Sequence, residues 1–561
     1  MNSSAPEVTA QPAEPQRVWL CAAALLVLTL GVYANAFPGS FIFDDSGTVL
    51  ANPFLSRAWP TWDVFRAPRM SSISGRPISA LSFAATYQFF EFNASGYRAV
   101  NLGLHVSAAL LLFGLIRRTV AARGGMLARS ALPIGFCAAA VWALHPLNAL
   151  PVNYITQRIE ILATLFYMAT FYSAVRCWTA ENASGRRAWV ALAIAAAALG
   201  MGSKETMVTA PVALLMFARM VWYGSWNDVW REGKGLLIGV ASTWLILAAC
   251  LAFGGVHEGV NLGKLPYGPI EYCMTQAGVI LLYVRLSVVP YPLNLDYGWP
   301  FVYKLADAWL ALLGMAVFLG VTAWGVRRNP RVGFCALAFF LILSPSSSVA
   351  PLPDAVDEYR MYPALAPLAV LFALGLFRVL SARRALLAGI VCATALGVVT
   401  MCRNPVYRSA ISLWEDVTLK APLNARGFAN LGTAYAEISK FDAALACLRQ
   451  SYKLNPDYPQ IRMNYGAALA ATGQLRLAKS LLQEAAEHDP QSYAAQVNCA
   501  LVMADLKQWQ SAIPFFKQAL TLNDTQSIPW RRYGDALKQV GRADEANAAY
   551  DRAQALEGQG R

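Results

Sequence analysis

Long apolar runs recur through the first 400 positions, at 18–36, 99–116, 132–146, 159–178, 187–201, 206–223, 235–254, 273–290, 307–325, 332–348, 363–380 and 385–401. A hydrocarbon layer about 30 Å thick takes roughly 20 helical residues, so the twelve runs are candidate membrane helices. The run at 273–290 stands apart. It carries Gln276 and Arg285, follows Glu271, and ends in the breaker sequence Val289-Pro290-Tyr291-Pro292.

After Arg403-Asn404-Pro405 the pattern changes to that of amphipathic soluble helices, with a 34-residue period starting at Asn424, Tyr458, Ser492 and Gln526. The ninth positions are small (Gly432, Gly466, Ala500, Gly534), as are the twenty-first (Ala444, Ala478, Ala512, Ala546). The twenty-fifth are large (Leu448, Leu482, Phe516, Tyr550). Small residues let paired helices approach and large ones fill the space between units, which is the tetratricopeptide pattern. The third repeat departs most, with Lys507 where Gly473 and Gly541 stand and Asp524 where Pro456 and Pro490 stand, so its turns are expected to be weaker. The expected fold is therefore all-α: a tail at 1–17, a polytopic membrane domain at 18–402, a connector at 403–423, and a four-repeat α-solenoid at 424–561.

The composition of the 561-residue chain agrees, at 57% hydrophobic and only 14% charged. The net charge of +13 raises the question of nucleic acid. Residues 424–561 hold 15 Lys/Arg against 13 Asp/Glu, so the excess belongs to the membrane part. It falls in clusters at Arg117–Arg129, Arg186–Arg187, Arg231–Lys234, Arg327–Arg331 and Arg383–Arg384. These read as cytoplasmic loops under the positive-inside rule rather than as a polyanion surface. Parity then requires one segment to enter and leave by the same face, and 273–290 is the best candidate for a re-entrant or interfacial segment. Eleven spans place the loops 37–98, 146–158, 202–205, 255–306 and 349–362 outside, with the repeats. Ten cysteines with no CxxC pair or Cys/His cluster argue against a disulfide scaffold or a zinc site.

The expected outer loops carry polar residues that need an explanation. Asp44-Asp45 sits just after the first run, and adjacent carboxylates suit a general base, a cation ligand or a solvated turn. Arg76, His145, Tyr154, Arg158, Glu160, Lys204, Glu205, Asp296, Tyr297, Glu358 and Arg360 follow in the other loops. A single Arg or Lys at a helix end commonly snorkels to the interface. Distant loops that all deliver polar groups to one face point instead to an active site, with cations for a lipid phosphate and acids to activate a hydroxyl.

The ordered words Phe43-Asp44-Asp45, Gly75-Arg76-Pro77, Leu144-His145-Pro146, Arg158-Ile159-Glu160, Ser203-Lys204-Glu205-Thr206, Leu295-Asp296-Tyr297 and Asp357-Glu358-Tyr359-Arg360 lead through Trp414-Glu415-Asp416 into the repeats. In this order the chain resembles the transmembrane and tetratricopeptide-repeat-containing O-mannosyltransferase-like family, within the GT-C class of glycosyltransferases. It departs from the family's usual words at Gln157, where Gly is frequent, and at Glu358-Tyr359-Arg360, where Glu-Arg precedes the Tyr.

The resemblance implies inverting transfer of a monosaccharide from a polyprenyl-phosphate sugar to a hydroxyl at the external membrane face. It implies Asp44 or Asp45 as the general base, with Asp44 slightly ahead. Arg76, Arg158, Lys204 and Arg360 are then donor-phosphate ligands. His145, Glu160, Glu205, Asp296, Tyr297 and Glu358 are supporting or sugar-binding residues. Lys204, costly if unpaired, is expected to be held by a neighbouring acid or the phosphate. The paired acids permit a divalent cation (Mg or Mn), yet no spaced ligand set demands one, and no cofactor is firmly implied.

The expected partners are the lipid-linked sugar donor, membrane lipid and a protein acceptor docked on the repeats, with no nucleic acid. A glycolipid or polysaccharide acceptor, and a non-enzymatic repeat scaffold, are the alternatives. The few repeats point to a bacterial inner membrane with catalytic loops and repeats in the periplasm, or to the endoplasmic reticulum membrane in a eukaryote.

Overall fold

A computed structural model describes residues 15–55, 71–253, 265–458 and 460–559. The first fourteen residues of the expected cytoplasmic tail, and parts of the loops at 37–98 and 255–306, lie outside the described residues. Every helix or turn of regular structure among the described residues is α, 3-10 or π, in line with the all-α expectation. The chain divides into two compact units, one of Met1–Leu295 with Trp299–Ser412 and the other of Asp296–Gly298 with Leu413–Arg561.

In the first unit all twelve apolar runs lie on helices. Eight helical stretches among the described residues are long and apolar enough to cross a membrane, among them Pro15–Ala36, Ala94–Arg123, Trp226–Phe253, Leu305–Arg328 and Ala382–Arg408. The runs at 159–178, 187–201, 273–290 and 332–348 are helical but fall short of that length or apolarity. Pro269–Val288 is one uninterrupted helix, so any irregular backbone in this segment begins only at the breaker run.

The helix Ala131–Ala143 forms the centre of the unit, because its small residues Ala138, Ala139, Ala140 and Ala143 are all buried. A Cβ on Gly135 would come 3.0 Å from the Phe113 carbonyl, and one on Gly389 would meet the Cys137 sulfur at 2.5 Å. Close approach of helix backbones here replaces the hydrophobic drive that lipid cannot supply.

In the second unit the helix pairs run Ala425–Glu437 with Phe441–Leu454, Ile461–Ala471 with Leu475–His488, Tyr493–Asp505 with Trp509–Leu522, and Ser527–Gln539 with Ala543–Gln559. A Cβ on Gly432 or Gly466 would meet Leu448 or Leu482 at 2.6 Å, which is the small-against-large pairing read from the sequence. The third repeat keeps its turns. Lys507 takes φ 60°, the left-handed conformation of Gly473 and Gly541, as Ser439 does in the first repeat. The turn does not depend on the proline that Asp524 replaces, because three repeats, two of them with the proline, share an Asx turn in which Asn455, Asp489 and Asn523 accept from the backbone N–H two residues on. The expected connector is not an open linker, since Ala410–Lys420 is a helix whose Trp414 and Val417 are buried, and its residues from Leu413 on belong to the second unit.

Candidate functional site

The turn Ile42–Asp45 separates the two adjacent acids. Phe43 sits at φ 47°, a left-handed conformation that is strained for a bulky residue. The Asp45 N–H donates to the Ile42 carbonyl at 3.0 Å. Asp44 is exposed, while Asp45 is fully buried. Both Asp45 oxygens are committed: Oδ2 accepts from the Ile42 N–H at 3.0 Å, and Oδ1 from the Thr156 N–H at 2.8 Å and its hydroxyl at 2.6 Å. Burial raises the Asp45 carboxyl to about 6, against the hydrogen bonds from Thr156 and Ile42, which favour the ionised form. The Tyr154 hydroxyl accepts from the Asp44 N–H at 3.0 Å. Burial and the charges of Asp44 and Asp45 hold that phenol well above its ordinary value. Asp45 is thus the anchored acid, while Asp44, whose side chain meets the Tyr154 hydroxyl, is the exposed one.

Tyr154 and Thr156 lead directly into the helix Arg158–Trp178, whose first turn carries Glu160. Glu160 is 1% exposed and its Oε1 accepts from Lys204 Nζ at 2.5 Å, so Lys204 is paired with an acid. Lys204 also lies 4.9 Å from the Tyr359 ring centroid. The adjacent Glu205 receives Arg76 in a fork, at 3.1 Å from Nε and 2.7 Å from Nη2. The Ile78 N–H to Gly202 carbonyl bond (3.0 Å) and the Ser79 hydroxyl to Ser203 carbonyl bond (3.0 Å) hold those two loops together. Segments 42–45, 76–79, 154–160, 202–205 and 358–360, remote in sequence, therefore form one continuous neighbourhood.

Other predicted residues have different places. Arg158 is fully buried, and its guanidinium is consumed by Asn101 Oδ1 (2.7 Å), Thr86 Oγ1 (2.6 Å) and the Ser82 and Tyr97 carbonyls. Arg360 pairs with Asp357 and donates to the carbonyls of Asp354 and Ala355. Glu358 accepts from the Asn294 N–H at 2.5 Å. His145 caps its own turn by accepting from the Leu147 N–H at 3.2 Å, and its Nε2 lies 3.2 Å from the Ser287 carbonyl. Asp296 and Tyr297 lie in the second unit, where Asp296 forms an ion pair with Arg426 at 2.5 Å. Burial acts to raise the Asp296 carboxyl, but the hydrogen bond and charge of Arg426 outweigh it and leave the group below its ordinary value. Among the described residues no group of three or more His, Cys, Asp or Glu is placed to hold a metal ion.

Sequence reasoning missed the polar stripe that anchors this neighbourhood. Arg98, Asn101 and His105, at helical spacing on Ala94–Arg123, are all buried. Arg98 donates to the carbonyls of Asn153 (3.1 Å), Gly39 (2.8 Å), Ser40 (2.6 Å) and Tyr407 (3.3 Å). The legible signal was the i, i+3, i+7 spacing of three polar residues on one face of an apolar helix.

The fold and site define an integral membrane protein of all-α architecture that carries a tetratricopeptide array. Residues 409–500 match the family described as "Tetratricopeptide repeat". The chain is similar to "Protein O-mannosyl-transferase F38B6.6" of Caenorhabditis elegans, 24% identical over 459 residues, which cover 78% of this chain and 63% of that protein. It is also similar to "Protein O-mannosyl-transferase TMTC3" of Mus musculus, 22% identical over 589 residues, covering 94% and 62%. The resemblance drawn from the sequence words is borne out by these homologues, although the chain spans less than two thirds of the length of either. A solved structure titled "MamA 41-end from Desulfovibrio magneticus RS-1" aligns at 17% identity and TM-score 0.25, covering 27% of this chain and 84% of that one.

Proposed function

We propose that this protein is a membrane glycosyltransferase of the GT-C class. It moves a monosaccharide, mannose by analogy with the names of its relatives, from a polyprenyl phosphate to a Ser or Thr hydroxyl of a protein docked on the repeats. The observation that carries this reading is the exposed Asp44 on a turn pinned to Tyr154 and Thr156, the segment that leads to Glu160, whose partner Lys204 adjoins the Arg76–Glu205 pair.

In this reading Asp44 accepts the proton of the acceptor hydroxyl, and the hydroxyl oxygen attacks the anomeric carbon as the bond to the phosphate oxygen breaks. The electron pair leaves with the phosphate, and a single displacement inverts the sugar carbon. Arg76 and Lys204 are the cations assigned to stabilise the charge developing on the leaving phosphate. Arg158 and Arg360, buried and spent on protein acceptors, position the loops rather than the donor, whereas Arg76, bonded to Glu205 and the Ser72 carbonyl, ends against a carboxylate that is 45% exposed. Asp45 fixes the turn that presents Asp44. The catalytic loops and the repeats face the periplasm of a bacterial inner membrane, or the lumen if the host is a eukaryote.

The test uses purified full-length protein, radiolabelled polyprenyl-phosphate mannose and a secreted acceptor protein. Transfer is expected in the wild type and lost in Asp44→Asn. A wild-type rate in Asp44→Asn overturns the assignment. Transfer to glycolipid alone, undiminished by deletion of 424–561, overturns the protein acceptor.

A further inference from the structure

The first unit contains a cavity of about 600 Å³ between the helices Ala94–Arg123, Arg158–Trp178, Ala210–Phe217, Pro330–Leu343 and Met361–Val379. That volume is in the range of lipid- and drug-sized ligands. Its walls are apolar, with Leu112, Phe171, Phe217, Phe334, Val370 and Leu374. The charges in its lining are Arg123, Arg331 and Arg378, and no Asp or Glu lines it.

The three arginines come from three helix ends. Arg123 closes Ala94–Arg123, Arg331 is the second residue of Pro330–Leu343, and Arg378 is the penultimate residue of Met361–Val379. Two of them are in contact: Arg331 Nη1 donates to the Arg123 carbonyl at 2.5 Å, and the Arg123 guanidinium lies 4.8 Å from the Trp222 ring centroid. Arg123 Nε is buried and makes no hydrogen bond among the described residues. A buried donor without an acceptor, in a cavity lined by two further arginines, is costly, and an anion would relieve both penalties. Basic pockets between membrane helices take anionic lipid headgroups.

We infer that this cavity is a binding site for an anionic membrane phospholipid, with the headgroup phosphate on Arg123, Arg331 and Arg378 and an acyl chain along the apolar wall. The site lies at the ends of these helices that carry the basic loops. It is independent of the transfer chemistry assigned to Asp44.

The test is native mass spectrometry of the full-length protein in neutral detergent, titrated with dioleoylphosphatidylglycerol, dioleoylphosphatidylcholine or a polyprenyl phosphate. Wild-type protein is expected to retain phosphatidylglycerol over phosphatidylcholine. Each basic residue facing an anionic headgroup is worth about a factor of five, so the exposed-residue double variant Arg331→Gln/Arg378→Gln is expected to bind phosphatidylglycerol about thirtyfold more weakly. Leu374→Trp, which fills the cavity, is expected to abolish retention with both arginines intact. Asp44→Asn is expected to leave retention unchanged whether or not it abolishes transfer. Equal retention of the two phospholipids by the wild type overturns the inference, as does wild-type retention by the double variant. Displacement of phosphatidylglycerol by stoichiometric polyprenyl phosphate also overturns it, because the cavity would then belong to the sugar carrier.

Discussion

Adjacent aspartates with opposite surroundings should fail in opposite ways when each is changed to asparagine. Asp44 is exposed, but its side chain is hydrogen-bonded with the buried Tyr154 hydroxyl; an asparagine oxygen can still accept that bond, and the backbone bonds to Tyr154 and from the Thr48 N–H survive the change. Asp44→Asn should therefore alter stability by about 1 kcal/mol at most, the difference between a charged and a neutral acceptor. Loss of a general base should lower the transfer rate by about 10²–10⁴-fold. In Asp45→Asn one side-chain oxygen can still accept from Thr156, but the new amide then faces the Ile42 N–H donor to donor. One buried donor is left unsatisfied, which costs about 1–3 kcal/mol.

The pH dependence separates them further. Asp45 stands at about 6 in the folded chain and near the ordinary aspartate value of 3.8 when unfolded, so between those limits the native state holds the extra proton. Its contribution is present below pH 4 and lost as pH rises to 6, by about 3 kcal/mol at 1.36 kcal/mol per unit. The assay is the thermal midpoint in detergent from pH 4 to 7, taken as wild type minus Asp45→Asn, alongside radiolabelled transfer. The reasoning fails if Asp44→Asn transfers at the wild-type rate, or if Asp45→Asn melts with the wild type across the whole range.

Lys204→Met leaves Glu160 charged and buried, and should cost about 3–5 kcal/mol; adding Glu160→Gln should recover part of it in a double-mutant melting cycle. Arg158→Lys cannot reach Asn101, Thr86, Ser82 and Tyr97 together, and should destabilise by about 1–3 kcal/mol per stranded acceptor. The KM for the donor lipid in the remaining folded protein should stay unchanged, which a steady-state titration checks. Gly466→Ala, with its Cβ 2.6 Å from Leu482, should cost about 1–3 kcal/mol through overpacking. Faster amide exchange confined to the second repeat and its neighbours would report it.

The repeats were legible because period 34 imposes the same small-against-large contact four times, so Ala500 opposite Phe516 could be read from Gly432 opposite Leu448. The apolar runs were legible as helices because a bilayer demands length. The ranking of the cations was not. Arg76, Arg158, Lys204 and Arg360 look equivalent in sequence, yet Arg158 is saturated by carbonyls and hydroxyls from segments many residues away, and Arg360 by Asp357 and the carbonyls of its own loop. No spacing rule announces such acceptors. The separation of Asp44 from Asp45 was equally hidden, since it depends on a left-handed Phe43 and on Thr156. The commitment of Asp296 to Arg426 was hidden as well, since that partner lies 130 residues downstream.

The Arg98 anchor has a consequence for biosynthesis. Its four acceptors come from residues 39–40, 153 and 407, and Asn404 donates to the Val32 carbonyl at 3.0 Å. The first loop, which presents Asp44, cannot acquire its full set of bonds until the ribosome has delivered the segment beyond the last membrane helix. Until then Arg98 is a cation short of one acceptor. Any product ending before residue 407 should accumulate as inserted helices whose first loop is incompletely held, so that the native arrangement arrives only near the end of membrane insertion.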